Sequence, residues 1–207
     1  KDKICRLISL RPAEIEFVDM RQHDFSDYKT TIDYISVATY YRLKLPSLLP
    51  DIDKVIYLDC DLIVDKDISG LWNEYDDEKQ VMAVADLWGT LRDHHLTIGM
   101  KKEGYYFNAG VILFNLKRMR ETGFEQRCVD VFHERKPLLK FQDQDVLNIV
   151  CEGDFKVIPP IYNVMPAFEG GFSMDQISTL TPYTAKDMCG LYQKRSEEHT
   201  SELQSLR

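Results

Sequence analysis

Residues 54–64 read Lys-Val-Ile-Tyr-Leu-Asp-Cys-Asp-Leu-Ile-Val, an apolar segment interrupted by two carboxylates. Residues 55–58 have no polar break, a pattern typical of a strand buried on both faces in the middle of a parallel sheet. Ligands of open α/β sheets bind outside the carboxyl ends of the strands, which is where Asp59 and Asp61 stand. Two acids one residue apart can share a hard divalent cation, Mg²⁺ or Mn²⁺, with the phosphate oxygens of a nucleotide. The segment therefore predicts an α/β fold with a metal and nucleotide site.

The Asp-x-Asp spacing alone is a weak signal, because it recurs in pairs that begin at Asp51, Asp65 and Asp143. The pairs at 51 and 65 are typical of solvated turns. Only Asp59 follows four consecutive apolar residues, and a buried strand end beside two unpaired charges is costly unless something neutralises them. We therefore place the metal site at Asp59 and Asp61.

The composition limits the class of protein. The chain has 207 residues, of which 44% are hydrophobic and 29% charged, enough for one α/β domain with a substantial core. No apolar run approaches the roughly 18 residues of a membrane span. The net charge of −8 argues against binding nucleic acid, although a local basic patch could still contact a membrane surface.

Cysteine usage and the first residue bear on location and completeness. Five cysteines without Cys-x-x-Cys spacing indicate reduced, buried thiols in a cytoplasmic protein, with peripheral contact at the inner face of the membrane left open. The chain begins at Lys1 without an initiator Met or a signal peptide, so we expect a fragment.

Two further polar residues accompany predicted elements. A helix over 37–43, capped by Ser36, carries Arg42, which on the sequence alone is typical of a surface arginine. A second apolar strand, residues 81–85, ends on Asp86. Two strands that both end on an acid favour a shared crevice.

Periodicity predicts three other segments. Residues 4–8 have helical spacing, and residues 15–19 alternate as a strand. Residues 87–104 are expected to form a loop. His94 and His95 lie in that loop without ligand-like spacing, so we expect both to be solvated.

The second half of the chain contributes an amide and a polar helix start. Asn108 precedes Ala-Gly and an apolar strand, and its amide fits contact with sugar hydroxyls and a turn equally well. Residues 117–135 are typical of one amphipathic helix. A helix starting near residue 142 has acids and amides in its first turn, of which Asp143 and Gln144 are the expected pocket pair.

Four segments stand in order along the chain: Ala38-Thr39-Tyr40-Tyr41-Arg42-Leu43, Val55-Ile56-Tyr57-Leu58-Asp59-Cys60-Asp61, Tyr106-Phe107-Asn108-Ala109-Gly110-Val111 and Asp143-Gln144-Asp145-Val146-Leu147-Asn148. Together they closely resemble the family 8 glycosyltransferases, above all bacterial lipopolysaccharide α-galactosyl- and α-glucosyltransferases and, more distantly, glycogenin. The resemblance covers roughly residues 1–170. It implies an α/β GT-A fold, a mixed, mostly parallel central sheet flanked by helices, here truncated at both ends.

The resemblance also implies an activity. A hexose, galactose or glucose, would pass from a UDP-sugar to a glycan or lipid-linked glycan acceptor such as lipopolysaccharide core, with retained configuration and with Mn²⁺ or Mg²⁺. Asp59 and Asp61 match the metal ligands, and Gln144 matches the side chain near the anomeric carbon. The residues that match donor-sugar or diphosphate contacts are Arg42, Asp86, Asn108 and Asp143, with Asp86 placed by strand order alone.

Asp143 and Gln144 are therefore the expected catalytic residues. An amide is a poor nucleophile, so we expect Gln144 to stabilise a short-lived oxocarbenium ion while the acceptor attacks from the leaving-group side. The metal would offset charge developing on the departing UDP.

The chain departs from the family pattern at both ends. It lacks the first strand, which carries the uracil and ribose contacts, and the closing His-x-x-Gly-x-x-Lys-Pro-Trp motif, which supplies a third metal ligand and a diphosphate-binding lysine. Residues 195–207 resemble the translation of a sequencing adapter. We therefore expect a partial GT-A domain over 1–194 and a non-native, disordered tail over 195–207, with His199 excluded as a ligand. Such a chain should bind metal and UDP-sugar poorly.

Two alternatives remain open on the sequence. A haloacid-dehalogenase-like phosphatase would use Asp59 as nucleophile and Asp61 as acid, although Ile63 stands where that class prefers Thr or Val. A non-enzyme alternative is an inactive fragment that only binds sugar or metal. Hydrolysis of UDP-hexose by the full-length gene product, compared with that by the fragment, separates the two.

Overall fold

The structure is a computed structural model that describes residues 14–28, 37–101, 104–168, 172–188 and 191. The strands are β1 (Lys54–Leu58), β2 (Val81–Ala85), β3 (Phe107–Asn115) and β4 (Phe155–Val157). The α-helices are α1 (Leu45–Leu48), α2 (Ser69–Trp72), α3 (Leu87–Leu91), α4 (His94–Thr97), α5 (Leu116–Glu121), α6 (Phe124–Arg135), α7 (Gln142–Val150) and α8 (Met174–Leu180). The 3-10 helices are Met20–Gln22, Ser26–Tyr28, Val37–Lys44, Lys136–Leu138, Pro160–Tyr162 and Pro166–Phe168.

The strands form one sheet in the order β1-β3-β2-β4. β3 is antiparallel to both of its neighbours, whereas β2 and β4 are parallel. A central mixed sheet is confirmed, but the described pairings are mostly antiparallel and not mostly parallel as expected. β1 lies at the edge of the described sheet and is half-buried throughout, which corrects the prediction of a strand buried on both faces in the middle of a parallel sheet.

β3 divides the core into two layers because its side chains alternate across the sheet. Ile112 and Phe114 pack with buried residues of α5, α6 and α7. Val111 and Leu113 pack on the opposite face with Leu87 and with residues of α2 and α8. The result is an α/β domain with helices on both faces of the sheet.

Several predicted segments differ from the structure. Residues 15–19 are exposed and pair with none of the described strands. Val37–Lys44 is a 3-10 helix instead of an α-helix. The predicted helix 117–135 is two helices, because Gly123 adopts a left-handed φ of 64° between α5 and α6. The predictions for helix 4–8, the cap at Ser36 and the tail 195–207 concern residues outside the described ranges.

Residues 87–104, predicted to be a loop, contain α3 and α4. Asp86 caps α3, because its side chain accepts a hydrogen bond from the Trp88 amide at 2.9 Å. Helix α3 packs tightly on the segment before β3, where a Cβ added to Gly89 would lie 2.2 Å from Cδ1 of Tyr106. Glycine at position 89 thus permits an approach that no other residue allows.

Two of the thiols follow the sequence prediction and one does not. Cys128 and Cys151 are free and buried, whereas Cys60 is free but exposed. Cys60 is exposed because the chain leaves β1 in a turn at residues 60–61. Within the ranges described above, no helix is both long and apolar enough to cross a membrane.

Candidate active site

The carboxyl ends of β1 and β2 meet the start of β3 at one edge of the sheet. The Asp59 amide donates to the Gly110 carbonyl at 2.9 Å, and the Asp86 amide donates to the Tyr106 carbonyl at 2.7 Å. These bonds place Asp59 and Asp86 on either side of Asn108. The antiparallel direction of β3 is what brings its first residues to the strand ends that the sequence singled out.

Arg42 belongs to the 3-10 helix Val37–Lys44, and its side chain links that helix to these strand ends and to α7. Its Nη2 donates to Oδ1 of Asp59 at 2.9 Å, and its Nε lies 2.9 Å from Oδ2 of Asp143. Nη1 donates to the Ala109 carbonyl, and the guanidinium lies over the Tyr57 ring at 4.3 Å from its centroid. Only 7% of the side chain is exposed, so Arg42 is a buried site residue and not the surface arginine that its residue type favours.

Asp143 is almost fully buried beside this arginine. Its Oδ1 accepts a hydrogen bond from the Thr39 hydroxyl at 2.5 Å. Its Oδ2 contacts Arg42 as an ion pair without an aligned hydrogen bond, since the Nε–H of Arg42 points to the Thr39 carbonyl at 3.3 Å. Burial raises the pKa of Asp143 to about 6, against the lowering effects of Arg42 and Thr39. The charged carboxylate is thus stabilised mainly by the Arg42 guanidinium and also by the Thr39 hydroxyl.

Gln144 lies on the neighbouring side of α7, beside β3. Its Oε1 accepts the Ala109 amide proton at 2.9 Å, and its Nε2 lies 3.2 Å from the Tyr106 hydroxyl and 3.4 Å from Oδ2 of Asp86. Asn108 Nδ2 lies 3.4 Å from the same Asp86 oxygen. The structure therefore brings together six of the predicted site residues, namely Arg42, Asp59, Asp86, Asn108, Asp143 and Gln144. We refer to the site formed by these six residues as the crevice.

Asn108 forms the turn that its sequence allowed, and its amide nitrogen also faces Asp86. Its Oδ1 accepts the Gly110 amide at 2.8 Å, as in an Asx turn, and also accepts from Asn163 Nδ2 at 2.8 Å. Its Nδ2 points to Asp86 at the site. Asn163 is a site neighbour that sequence reasoning missed, because it lies in an irregular segment without a motif.

Asp145 and His94 form a buried network that the sequence did not reveal. His94 Nε2 lies 2.7 Å from Oδ1 of Asp145, and the Tyr106 hydroxyl donates to the same oxygen at 2.6 Å. Oδ2 of Asp145 accepts the amides of Lys140 and Phe141 at 2.7 and 2.9 Å. The prediction that His94 and His95 are solvated is wrong, since their exposures are 5% and 3%.

This network orients the start of α7. Tyr106 bridges Asp145 and Gln144 through its hydroxyl, and burial followed by the nearby Asp145 charge raises the pKa of Tyr106 far above its ordinary value. Gln142 has a positive φ of 43°, which is uncommon for a residue with a side chain. The hydrogen bonds from the Lys140 and Phe141 amides to Asp145 hold the chain in that turn. The network therefore fixes the backbone position from which the Gln144 side chain extends.

The metal ligands predicted by sequence are only partly brought into the site. Oδ1 of Asp59 accepts hydrogen bonds from Arg42 and from the Tyr57 hydroxyl. Its Oδ2 faces Gly110, where an added Cβ would lie 3.4 Å away. Asp61 is exposed in the turn after β1. Among the residues described, no group of three or more His, Cys, Asp or Glu could hold a metal ion. Carboxylate oxygens are ligands of the kind that a hard divalent ion prefers, and Asp59 and Asp61 are the two that the sequence assigns to it.

A cavity of about 620 Å³ opens beside Asp86, Asn108 and Gln144. Two aromatic residues, Trp88 and Phe141, and two basic residues, Arg92 and Lys140, contribute to its lining. Its remaining lining residues are Gly89, His94 and Thr97. A pocket with apolar walls and a few convergent polar groups is the usual form of a small-molecule site.

A mixed sheet with helices on both faces and an acidic crevice at one edge is the architecture of the GT-A glycosyltransferases. The galactosyltransferase LgtC, solved in complex with donor and acceptor sugar analogues, has a TM-score of 0.68 and 33% identity over 78% of this chain and 59% of its own. An active-site variant of LgtC, with glutamine changed to glutamate, gives 0.66 and 34% over 72% and 55%.

The chain belongs to glycosyltransferase family 8, whose model, described as Glycosyl transferase family 8, matches residues 3–189. A Haemophilus influenzae protein with a provisional glycosyltransferase name is 35% identical over 80% of this chain and 51% of its own length. The lipopolysaccharide 1,2-glucosyltransferase of Escherichia coli is 28% identical over 63% of this chain and 39% of its own. The chain thus spans about half the length of the first of these relatives. The family membership leaves the phosphatase alternative without support.

Proposed function

We propose that the protein is a retaining glycosyltransferase that moves a hexose, galactose or glucose, from a UDP-sugar to a glycan acceptor, with Mn²⁺ or Mg²⁺ as cofactor. The observation that carries this proposal is the convergence of six polar side chains from separate elements at one sheet edge. A core does not tolerate such a cluster, whereas a sugar pocket requires it. The relatives support the acceptor class, since one is named for lipopolysaccharide glucosylation and LgtC was solved with sugar analogues.

Arg42 is assigned to the diphosphate end of the donor. Its guanidinium is fixed by Asp59, Asp143 and a carbonyl, so it would hold these two carboxylates in place around the donor without needing to reorganise. Asp59 and Asp61 would hold the divalent ion. When bound, that ion supplies positive charge that offsets the charge developing on the leaving diphosphate.

Gln144 is the residue best placed beside the reacting carbon. The Ala109 amide occupies one lone pair of its Oε1, and a carbonyl oxygen has two. The second lone pair can stabilise positive charge on the anomeric carbon while the acceptor enters on the leaving-group side. Asp143 and Asn108 would contact donor hydroxyls, and Asp86, which faces both Asn108 and Gln144, would contact either sugar.

The location we propose is cytoplasmic, with peripheral contact at the inner face of the membrane where a lipid-linked acceptor would be presented. Residues 1–194 form the glycosyltransferase part of this proposal, and residues 195–207 are a non-native tail. The roles proposed for the residues of the crevice depend on neither the location nor these boundaries.

The test is calorimetric titration of UDP with MnCl₂ into the full-length gene product and into the 207-residue chain. We expect manganese-dependent binding by the full-length product, and Asp61→Asn should weaken it at least about tenfold because a ligand is lost. Asp61 is exposed, so this variant should keep the thermal stability of the parent. Asp65→Asn, in an exposed Asp-x-Asp pair, is the matched control and should bind as the parent does.

Product analysis then tests the reaction itself. NMR of the transferred hexose from UDP-galactose and UDP-glucose should show the donor configuration at the anomeric carbon. Manganese-independent binding, an Asp61→Asn variant that binds like the parent, or inverted product would each contradict the proposal.

A further inference from the structure

We propose that the cavity beside the crevice binds an anionic sugar, a glycan that carries a phosphate or carboxylate group. Arg92 and Lys140 would pair with the anion, and Trp88 and Phe141 would cover the sugar ring. The inference deepens the proposed function, on which it rests for the assignment of this sugar as the acceptor.

The position of the cavity separates it from the donor diphosphate. Its lining includes Asp86, Asn108 and Gln144, which also face the crevice. It includes neither Arg42 nor Asp59, the residues assigned to the diphosphate and metal. A ligand in the cavity would therefore reach the shared polar groups without contacting Arg42 or Asp59, as a second sugar beside the donor would.

The aromatic walls point to a ligand with apolar faces. Trp88 and Phe141 are 43% and 47% exposed, although large aromatic side chains are usually well covered. Trp88 packs edge-on against Phe172 with a centroid distance of 5.4 Å, and Phe141 packs against the His94 ring at 4.8 Å. Both rings are thus held by neighbouring side chains and are still partly exposed, so each can contact the C–H groups of a sugar.

The basic residues point to a charge on that sugar. Arg92 lies over the Trp88 ring at 4.8 Å, and the Lys140 backbone is anchored to Asp145 at 2.7 Å. The ion pairs found among the described residues include neither Arg92 nor Lys140, while the carboxylate of Asp86 already caps α3. Two such basic residues line one cavity in a chain of net charge −8, and this pairing favours an anionic ligand.

The fluorescence of Trp88 gives a direct test without any donor. The chain contains two tryptophans, and Trp72 lies elsewhere, with the Lys54 ammonium 4.2 Å from its ring centroid. The probes are galactose, galactose 6-phosphate, glucuronate, inorganic phosphate and UDP, titrated into the 207-residue chain. We expect one or both anionic sugars to change the emission with an affinity at least about tenfold above that of galactose.

Charge-neutral variants locate the anion. Arg92→Gln and Lys140→Gln should each weaken binding of the preferred anionic sugar about tenfold, and the loss should shrink at high salt. Lys117→Gln removes the same charge from an exposed position on α5 and should bind as the parent does. Trp88→Phe should abolish the signal, which shows that the change reports this cavity.

Three results would overturn the inference: galactose binding as tightly as both anionic sugars, inorganic phosphate alone matching galactose 6-phosphate, or UDP producing the same Trp88 change. The outcome is separable from that of the proposed function. The 207-residue chain could bind galactose 6-phosphate through Arg92 while the full-length product fails to bind UDP with manganese. That result would support the anionic-sugar site and contradict the proposed reaction.

Discussion

Replacing Asp143 with asparagine should remove a defined pH dependence of stability. The ordinary pKa of an aspartate is 3.8, and burial raises that of Asp143 to about 6 in the folded chain. The folded state therefore binds more protons than the unfolded state between these values, so this group stabilises the fold below pH 3.8 and the contribution is lost as the pH rises through about 6. At about 1.4 kcal/mol per pH unit, the full effect is about 3 kcal/mol.

About 2 kcal/mol of that effect should fall between about pH 4.5 and about pH 7.5. Urea denaturation of the parent and of Asp143→Asn gives the free energy of unfolding of each protein at both pH values. The change with pH in the parent, minus the change in the variant, is the contribution of Asp143, because the effects of the other titrating groups cancel. The free energy of unfolding of the parent should fall relative to the variant as the pH rises. Asp130→Asn, which removes an exposed carboxylate, should follow the parent. Parallel curves for the parent and Asp143→Asn would refute the reasoning.

Two further variants test the packing and orientation of the site. Gly89→Ala should destabilise the fold by about 3 kcal/mol or more, because the added Cβ would lie 2.2 Å from the buried Tyr106 ring. Gly123→Ala, which meets no atom within 4 Å but has a positive φ, should cost only about 1 kcal/mol in the same urea experiment; equal losses would contradict this. Tyr106→Phe keeps the ring but removes one of the three contacts that orient the Gln144 amide, so kcat should fall about tenfold at nearly unchanged donor KM. A change in KM alone would argue against an orienting role.

Local patterns in the sequence predicted the elements that carry the site. Residues 55–58 and 81–85 are uninterrupted apolar runs, and both are strands in the structure. The helix expected near residue 142 begins at Gln142. These segments were predictable because period and residue type are properties of a short stretch of chain.

The direction of the strands and the roles of buried polar residues were not predictable in the same way. An uninterrupted apolar run favours parallel neighbours but does not determine strand direction, so the antiparallel pairing of β1 with β3 could not be deduced from either segment. His94 is buried because Asp145, 51 residues later, lies 2.7 Å from it. Arg42 likewise has the residue type of a surface group, and only tertiary partners show that it is buried.

The partners of the 3-10 helix Val37–Lys44 have a consequence for folding kinetics. Arg42 donates a hydrogen bond to the Ala109 carbonyl, 67 residues later in the sequence, and the Thr39 hydroxyl donates one to Asp143, 104 residues later. Loop-closure entropy opposes such distant contacts until the intervening chain is already ordered. The crevice should therefore be completed after the sheet has formed and should be the first part to open. In hydrogen exchange, the amides of the 3-10 helix would then lose protection before those of β3.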